Sequence, residues 1–507
     1  MMFKLEKNSK VVDNYSSMEV SDAQTLLNTL QQLRQIVKEE GEKIFQQWRS
    51  QIERSTFLSS SKNLAYYLAL RRHDLRPVQA ALMPWGLSSL GRIESRVLPN
   101  LDAAIATLGA ICQADPHSLP PRPSLEEFFA GDRLLQQNTD ELFGNKPEQR
   151  RVRIMVTLPT VAASNYGLVR NLLLRGCDCV RINCAHDSAT EWSAMIANVR
   201  VAARERGYPC KVLMDLAGPK PRIGMAIAPN SPKRLYRGET ILLTGNLPTT
   251  ISSDGFQANC SIPEVLEQLK VGATVWIDDG SLGAKVESIK PEGVMLRITY
   301  ADLKGNKIPH EKGLNFPDTD LLLNPLTEKD LQDLDFVAVH ADIVGYSFVQ
   351  QAADIERLQW ELERRRPNKP PAIVAKIETP QAVRNLPELI VQAAGKQPFG
   401  IMIARGDLAI EIGYQRLAEI QEEILWLCEA AHVPVIWATQ VLEKLVKKGI
   451  PSRAEITDAA MAERAECVML NKGPFIAEAV TILDDVLTRM EAHQQKKTPQ
   501  LRALNSW

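Results

Sequence analysis

Between Arg151 and Met490, short apolar runs alternate with amphipathic helical patterns, and eight such pairs can be counted. This alternation constrains the fold more than any other feature of the chain. Parallel strands need a long crossover, usually a helix. Eight βα units close into a (β/α)8 TIM barrel, which builds its functional site at the C-terminal ends of its strands. The predicted strands cover residues 154–157, 180–183, 212–215, 343–348, 373–378, 401–404, 435–439 and 468–471. In residues 400–407 an apolar run stops at Arg405, Gly406 and Asp407. In residues 372–378, Lys376 and Glu378 stand two apart and so face the same side of a strand. Two carboxylates and a lysine at one mouth point to a divalent metal and an anionic ligand.

One gap in the pattern is different. After the third strand come about a hundred residues rich in Val, Ile, Thr and Gly, in which 234–244, 274–277, 285–289 and 293–299 read as short strands. This predicts a small β domain inserted at the catalytic face, a position suited to a lid. Residues 1–150 read as helical. Ser21 is the expected N-cap, with Gln24 three residues on, ahead of Leu26, Leu27, Leu30, Leu33 and Val37 at helical spacing. Residues 63–72 and 99–112 read as further helices, and the proline-rich stretch 113–123 as a loop. Arg71, Arg72, His73, Asp74 and Arg76 form a basic cluster, read as a solvated helix end in preference to an anion site. The expected organisation is 1–150 helical module, 151–224 barrel, 225–312 lid, 313–495 barrel and 496–507 tail.

Composition narrows the function classes. The net charge of -1 argues against nucleic-acid binding as the main task. No apolar run is long enough to span a bilayer, and the first residues lack the apolar stretch of a signal peptide, so the expected location is the cytoplasm. The eight cysteines show no CxxC spacing and are expected to be packed free thiols.

Six strand-end segments, in order, carry a resemblance. Residues 180–186 (VRINCAH), 214–222 (MDLAGPKPR), 276–280 (WIDDG), 375–378 (AKIE), 403–408 (IARGDL) and 438–442 (ATQVL) resemble the signature stretches of the pyruvate kinase family. The resemblance covers roughly residues 151–490. It implies phosphoenolpyruvate and ADP/ATP as partners, Mg²⁺ (or Mn²⁺) as cofactor, and a homo-oligomer. By the same resemblance Glu378 and Asp407 would hold the metal, and Lys376 would neutralise the transferring phosphoryl group and the enolate oxygen. Arg181 and Arg222 would grip phosphate, whereas Arg405, Gly406, Asp407 and Thr439 would bind substrate. His186 and Lys312 would lie near the nucleotide, Lys312 with Asp278 on the lid and its return. Asn183, Asp215 and Lys220 would line the region where many members hold K⁺. Ala185 and Lys220 replace the serine and glutamate that support K⁺ there, which resembles the K⁺-independent type.

The chain also departs from the family pattern. After the eighth strand it reads Leu470-Asn-Lys-Gly-Pro474 where the family has Ser-Gly-Glu-Thr-Ala-Lys-Gly, a loop that organises proton delivery to the enolate. The segment 157–160 (TLPT) differs from Thr-Ile-Gly-Pro near the nucleotide, and the family's C-terminal regulatory domain is expected to be absent. The N-terminal helices are expected to cover the surface it would occupy. Three readings follow: a pyruvate kinase, a related barrel using phosphoenolpyruvate in another reaction, or a non-catalytic metabolite-binding relative. If the Lys220 ammonium replaces the monovalent cation, turnover in a Na⁺- and NH₄⁺-free assay should not rise when K⁺ is added. A large K⁺ activation would rule that substitution out.

Overall fold

The computed structural model describes residues 22–87, 90–227, 234–247, 255–308 and 310–500. Eight parallel strands close a barrel in chain order: β1 (Arg153–Thr157), β2 (Cys179–Asn183), β3 (Lys211–Asp215), β4 (Ile343–Tyr346), β5 (Ala372–Ile377), β6 (Phe399–Ala404), β7 (Val435–Ala438) and β8 (Cys467–Leu470). The ring shuts where Arg153 of β1 pairs with Cys467 of β8. Alternate residues separate two cores. Met155, Leu213, Val374, Met402 and Met469 fill the barrel. Their neighbours Ile154, Val156, Ile373 and Ile401 face the surrounding helices. Strands buried on both faces read as continuous apolar runs, which is why they were legible in the sequence. Strands β4, β5, β7 and β8 end one or two residues earlier than their predicted bounds. Phe348 and Thr439, at φ 55° and 65°, have already left the extended region.

The insertion after β3 forms a seven-stranded sheet with its own core. That core takes in Ile223 on one stalk and Leu314 and Phe316 on the other, so the sheet runs past residues 225 and 312 at both ends. The predicted strand 234–244 is two strands, Arg234–Leu235 and Thr240–Thr244, parted by a turn at Gly238, whose φ is 92°.

Four longer helices precede the barrel: α1 (Ala23–Trp48), α2 (Leu58–Leu70), α3 (Val97–Ile111) and α4 (Ala130–Phe143). The cap of α1 is Asp22, whose carboxylate accepts the Thr25 N–H at 2.7 Å, one residue later than the expected Ser21; Ser21 lies outside the described residues. Helix α4 was not anticipated. It closes the N-terminal end of the barrel, where Leu142 and Phe143 join the interior cluster. Gly400 makes room for it, since a Cβ there would stand 2.5 Å from Leu142 Cδ2. Arg153, buried at the start of β1, binds Asp140 and the Gly144 carbonyl. At the other end of the chain, Gln494–Gln495 and Thr498–Pro499 form a hairpin, and Lys496 and Lys497 are ion-paired to Glu466 and Glu94. The expected tail from residue 496 therefore begins inside a packed element. All eight cysteines are free, seven of them buried. Among the described residues no helix is long and apolar enough to cross a membrane.

His432 joins the helical module to the barrel. Its Nδ1 lies 2.9 Å from Ser60 Oγ and its Nε2 3.0 Å from the Ser95 carbonyl. A carbonyl only accepts, so Nε2 carries the hydrogen and Nδ1 accepts from the serine. Burial pushes this imidazole down to about 4. Between there and the ordinary value near 6.5, the unfolded chain binds a proton that the folded one refuses. Stability therefore rises with pH across this window and is lost on acidification through it. Glu411, Glu429 and Glu463, which burial pushes up to about 7, act in the opposite sense over the same range, so the His432 share is read as a difference between wild type and variant. His432→Asn, whose side chain tolerates the local φ of 52°, should lose stability less steeply than wild type on acidification from pH 7 to pH 4, a difference on the order of 3 kcal/mol at most in thermal unfolding.

Candidate active site

Lys376 stands near the end of β5 with its ammonium nitrogen 3.1 Å from Glu378 Oε1 and 3.5 Å from Asp215 Oδ2. It donates to Ser347 Oγ at 2.7 Å, and Ser347 passes its own proton to the Leu216 carbonyl, also at 2.7 Å. Burial pushes the ammonium down, but Asp215 and Glu378 outweigh it, and the net displacement is upward. Lys376 therefore stays charged at neutral pH. Asp215 responds in the opposite sense. Burial pushes it up, while Lys376 and Arg181 together hold the carboxyl below the usual range. Arg181 on β2 lays Nε and Nη2 on Asp215 Oδ2 at 2.8 and 2.5 Å and donates from Nη1 to Thr157 at 3.1 Å.

The second half of the site is on β6 and the helix after it, α5 (Arg405–Ile412). Asp407 lies in the first turn of α5, where unpaired N–H groups and the helix dipole favour negative charge. Its Oδ1 accepts from Lys220 at 2.5 Å and from Asn315 Nδ2 at 3.2 Å. Burial pushes Asp407 up, but the charge and hydrogen bond of Lys220, the Asn315 amide and the Lys376 charge together outweigh it, and the net direction is down. Glu378 is raised, first by burial and further by the Asp407 charge. Two hard-oxygen carboxylates that repel each other at the ends of adjacent strands suit a divalent cation. Among the described residues, no group of three His, Cys, Asp or Glu could hold a metal. A cation here would therefore need further oxygens from a ligand or water.

Thr439 follows β7 at φ 65°, a rare conformation for a β-branched residue. The strain brings its hydroxyl to α5, where Oγ1 accepts the Gly406 N–H at 2.7 Å. That N–H was expected to face the substrate carboxylate. The Arg405 side chain turns away from the mouth, donating to Asp458 at 2.8 Å and stacking 4.7 Å over Trp437. What Arg405 leaves at the mouth is its backbone.

The remaining candidates are more dispersed. Arg222 donates to the Glu311 carbonyl at 2.7 Å, on the lid's return. Lys312 pairs with Asp278 at 3.0 Å across the lid. Asn183 is spent locally, accepting the Ala185 N–H at 3.1 Å. His186 is largely exposed, and partial desolvation and the charge of Lys472 lower its imidazole from the ordinary value. This places Lys472, in the loop after β8, within electrostatic reach of His186, in the loop that follows β2. Among the described residues Lys220 joins neither Asn183 nor Asp215; it pairs with Asp407 at 2.5 Å and, more distantly, with Asp279 at 4.0 Å.

Fold and site together define a (β/α)8 barrel with a charged cluster at its strand ends and a β domain inserted after β3. A family model described as pyruvate kinase, barrel domain, matches residues 149–480. A pyruvate kinase of Agrobacterium vitis is 31% identical over 356 residues, covering 68% of this chain and 69% of that protein. One from Methylorubrum extorquens is 32% identical over 349 residues, covering 68% and 69%. The crystal structure of a pyruvate kinase from Cryptosporidium parvum is similar at a TM-score of 0.60 and 28% identity, over 70% of this chain and 72% of that one. The chain belongs to the pyruvate kinase family. Helices α1 to α4 precede the matched residues.

Four residues of the site escaped the sequence reading. Ser347 directly follows β4 and could have been found by the same strand-end rule. Asp458 gave no such signal. Asn315 and Glu411 are distant in sequence, and only folding joins them, with Asn315 Nδ2 2.8 Å from Glu411 Oε1. Gly345 gives a direct structural check. A Cβ there would fall 2.7 Å from Asp215 Oδ1 and 3.2 Å from Asp215 Cα, against a side chain already pinned by Arg181 and Lys376. Gly345→Ala should cost about 1–3 kcal/mol, read as a lower urea midpoint, and a crystal structure of the variant should show Asp215 displaced.

Proposed function

We propose that this chain transfers the phosphoryl group of phosphoenolpyruvate to ADP, giving pyruvate and ATP. The observation that carries this reading is the Lys376 ammonium, held among Asp215, Glu378 and Ser347 at the strand ends. Phosphoryl transfer asks mainly for positioning and charge neutralisation. The bond from phosphorus to the enol oxygen breaks, and its electron pair stays on that oxygen. A terminal oxygen of ADP bonds to phosphorus, and the enolate then takes a proton at carbon.

Lys376 offsets the charge on the moving phosphoryl group and on the enolate oxygen. Arg181, steadied by Asp215 and Thr157, offers a planar fork to phosphate, and Arg222 joins it from the base of the lid. The first turn of α5 would give the substrate carboxylate the positive end of a helix, with the Gly406 N–H itself held by Thr439. Thr439 accepts the Gly406 N–H, which leaves its own hydroxyl proton to donate elsewhere, and in this reading it donates towards the enolate. Glu378 and Asp407 would hold Mg²⁺ or Mn²⁺, and the bound ion would anchor substrate oxygens and offset developing charge. Lys220 beside Asp407 supplies a built-in cation, so K⁺ is left out of the proposal. His186 and Lys312 would lie towards the nucleotide. A cytoplasmic location and a homo-oligomer belong to the same reading.

A lactate dehydrogenase-coupled assay with Mg²⁺, phosphoenolpyruvate and several nucleoside diphosphates tests the reaction. Pyruvate should form with ADP. If no diphosphate yields pyruvate, the barrel runs another phosphoenolpyruvate reaction or none. Lys376→Met should lower kcat by at least about 10²-fold, while Mn²⁺ binding followed by electron paramagnetic resonance stays within a few-fold of wild type. A wild-type rate in that variant would refute the assignment.

A further inference from the structure

The basic cluster at the end of α2 has a role that a solvated helix end does not explain. Two of its cations are spent: Arg72 pairs with Glu40 at 2.9 Å, and Arg76 with Asp74 at 2.6 Å. Arg71 is different. Among the described residues it is in no ion pair. Its guanidinium lies 5.0 Å from the ring centre of Trp426 and 5.5 Å from that of Tyr67, and it donates to the Tyr67 hydroxyl at 2.6 Å. Trp426 is on the helix Tyr414–Ala430, which belongs to the barrel. Lys497 of the C-terminal hairpin also lies 5.0 Å from this indole and is ion-paired to Glu94.

These groups border a cavity of about 320 Å³, the size of a small-molecule site. Three residues that line it each have a buried polar atom with no hydrogen-bond partner among the described residues: Trp426 at Nε1, His73 at Nε2 and Glu94 at Oε2. Such atoms are rare in folded proteins because each forfeits its hydration. The indole N–H can only donate, and the carboxylate oxygen can only accept. Lys497 pairs with Glu94 and Arg76 with Asp74, which leaves Arg71 as the cation of this wall outside any ion pair among the described residues. A ligand that met all these needs would carry negative charge, acceptor oxygens for Arg71 and Trp426, and one hydroxyl for Glu94.

We propose that this seam between helical module, barrel helix and C-terminal hairpin binds a phosphate-type oxyanion, separately from the barrel mouth. Hydrogen phosphate has the required acceptors and hydroxyl, and Arg71 presents the fork that reads such a group. Trp426 stands at the site, so the ligand reports itself through that indole.

The test is a titration of the full chain with inorganic phosphate at constant ionic strength, following the part of the tryptophan fluorescence that Trp426→Phe removes. A saturable change is expected. It should persist in Lys376→Met, weaken more than about tenfold in Arg71→Gln, and weaken several-fold in Arg71→Lys, which keeps the charge in the seam but loses the fork. Acetate, which has no hydroxyl at neutral pH, should bind more weakly than phosphate. The proposal is overturned if phosphate gives no saturable change, if Arg71→Gln and Arg71→Lys both bind like wild type, or if Lys376→Met abolishes the signal. Equal binding of acetate overturns the assigned ligand class.

Discussion

A buried lysine ammonium is expensive unless charge surrounds it, and Lys376 shows how this barrel meets that cost. Its neighbours come from three strand ends: Asp215 on β3, Ser347 after β4 and Glu378 after β5. The same requirement reaches outward. Asp215 must also steady Arg181, and Gly345 must lack a side chain so that Asp215 can occupy its place. Glu378 is held a second time by the Phe348 N–H at 2.7 Å, at a residue with φ 55°. Local strain beside β4 and β7 is the consequence of aiming these groups at one point.

Asp407 repeats the principle with different partners. Its countercharge comes from Lys220, on the stalk that leads into the inserted sheet, and its second hydrogen bond from Asn315, on the stalk that leads out. Both stalks of the lid are thus tied to the carboxylate proposed as a metal ligand. Glu411, one turn along α5, receives Asn315 as well, and burial pushes its carboxyl up to about 7. The lid and the strand ends form one electrostatic unit, which fits a site where closure must coincide with ligand binding.

The helices before the barrel do structural work at the opposite end. An open barrel bottom would expose Met155, Leu213 and Val374, and α4 covers it with Leu142 and Phe143. The other helices lean on the outer helix Tyr414–Ala430 through Asn63, whose amide donates to the Ala430 carbonyl at 2.8 Å, and through His432. In this way residues outside the family match become part of the barrel's own packing.

The alternation of apolar runs with helical patterns was enough to read the barrel, its inserted sheet and the chemistry at the ends of β5 and β6. Those features are local, since strand periodicity and the residues that interrupt it lie within a few positions of each other. Helix α4 was missed because its destination, the barrel interior, is not a property of its own segment. Which charges meet was likewise decided by the tertiary structure alone. Lys220 reaches Asp407 across 187 positions and Asn315 across 92. Contacts at such separation follow from barrel closure and leave no periodic trace in the chain.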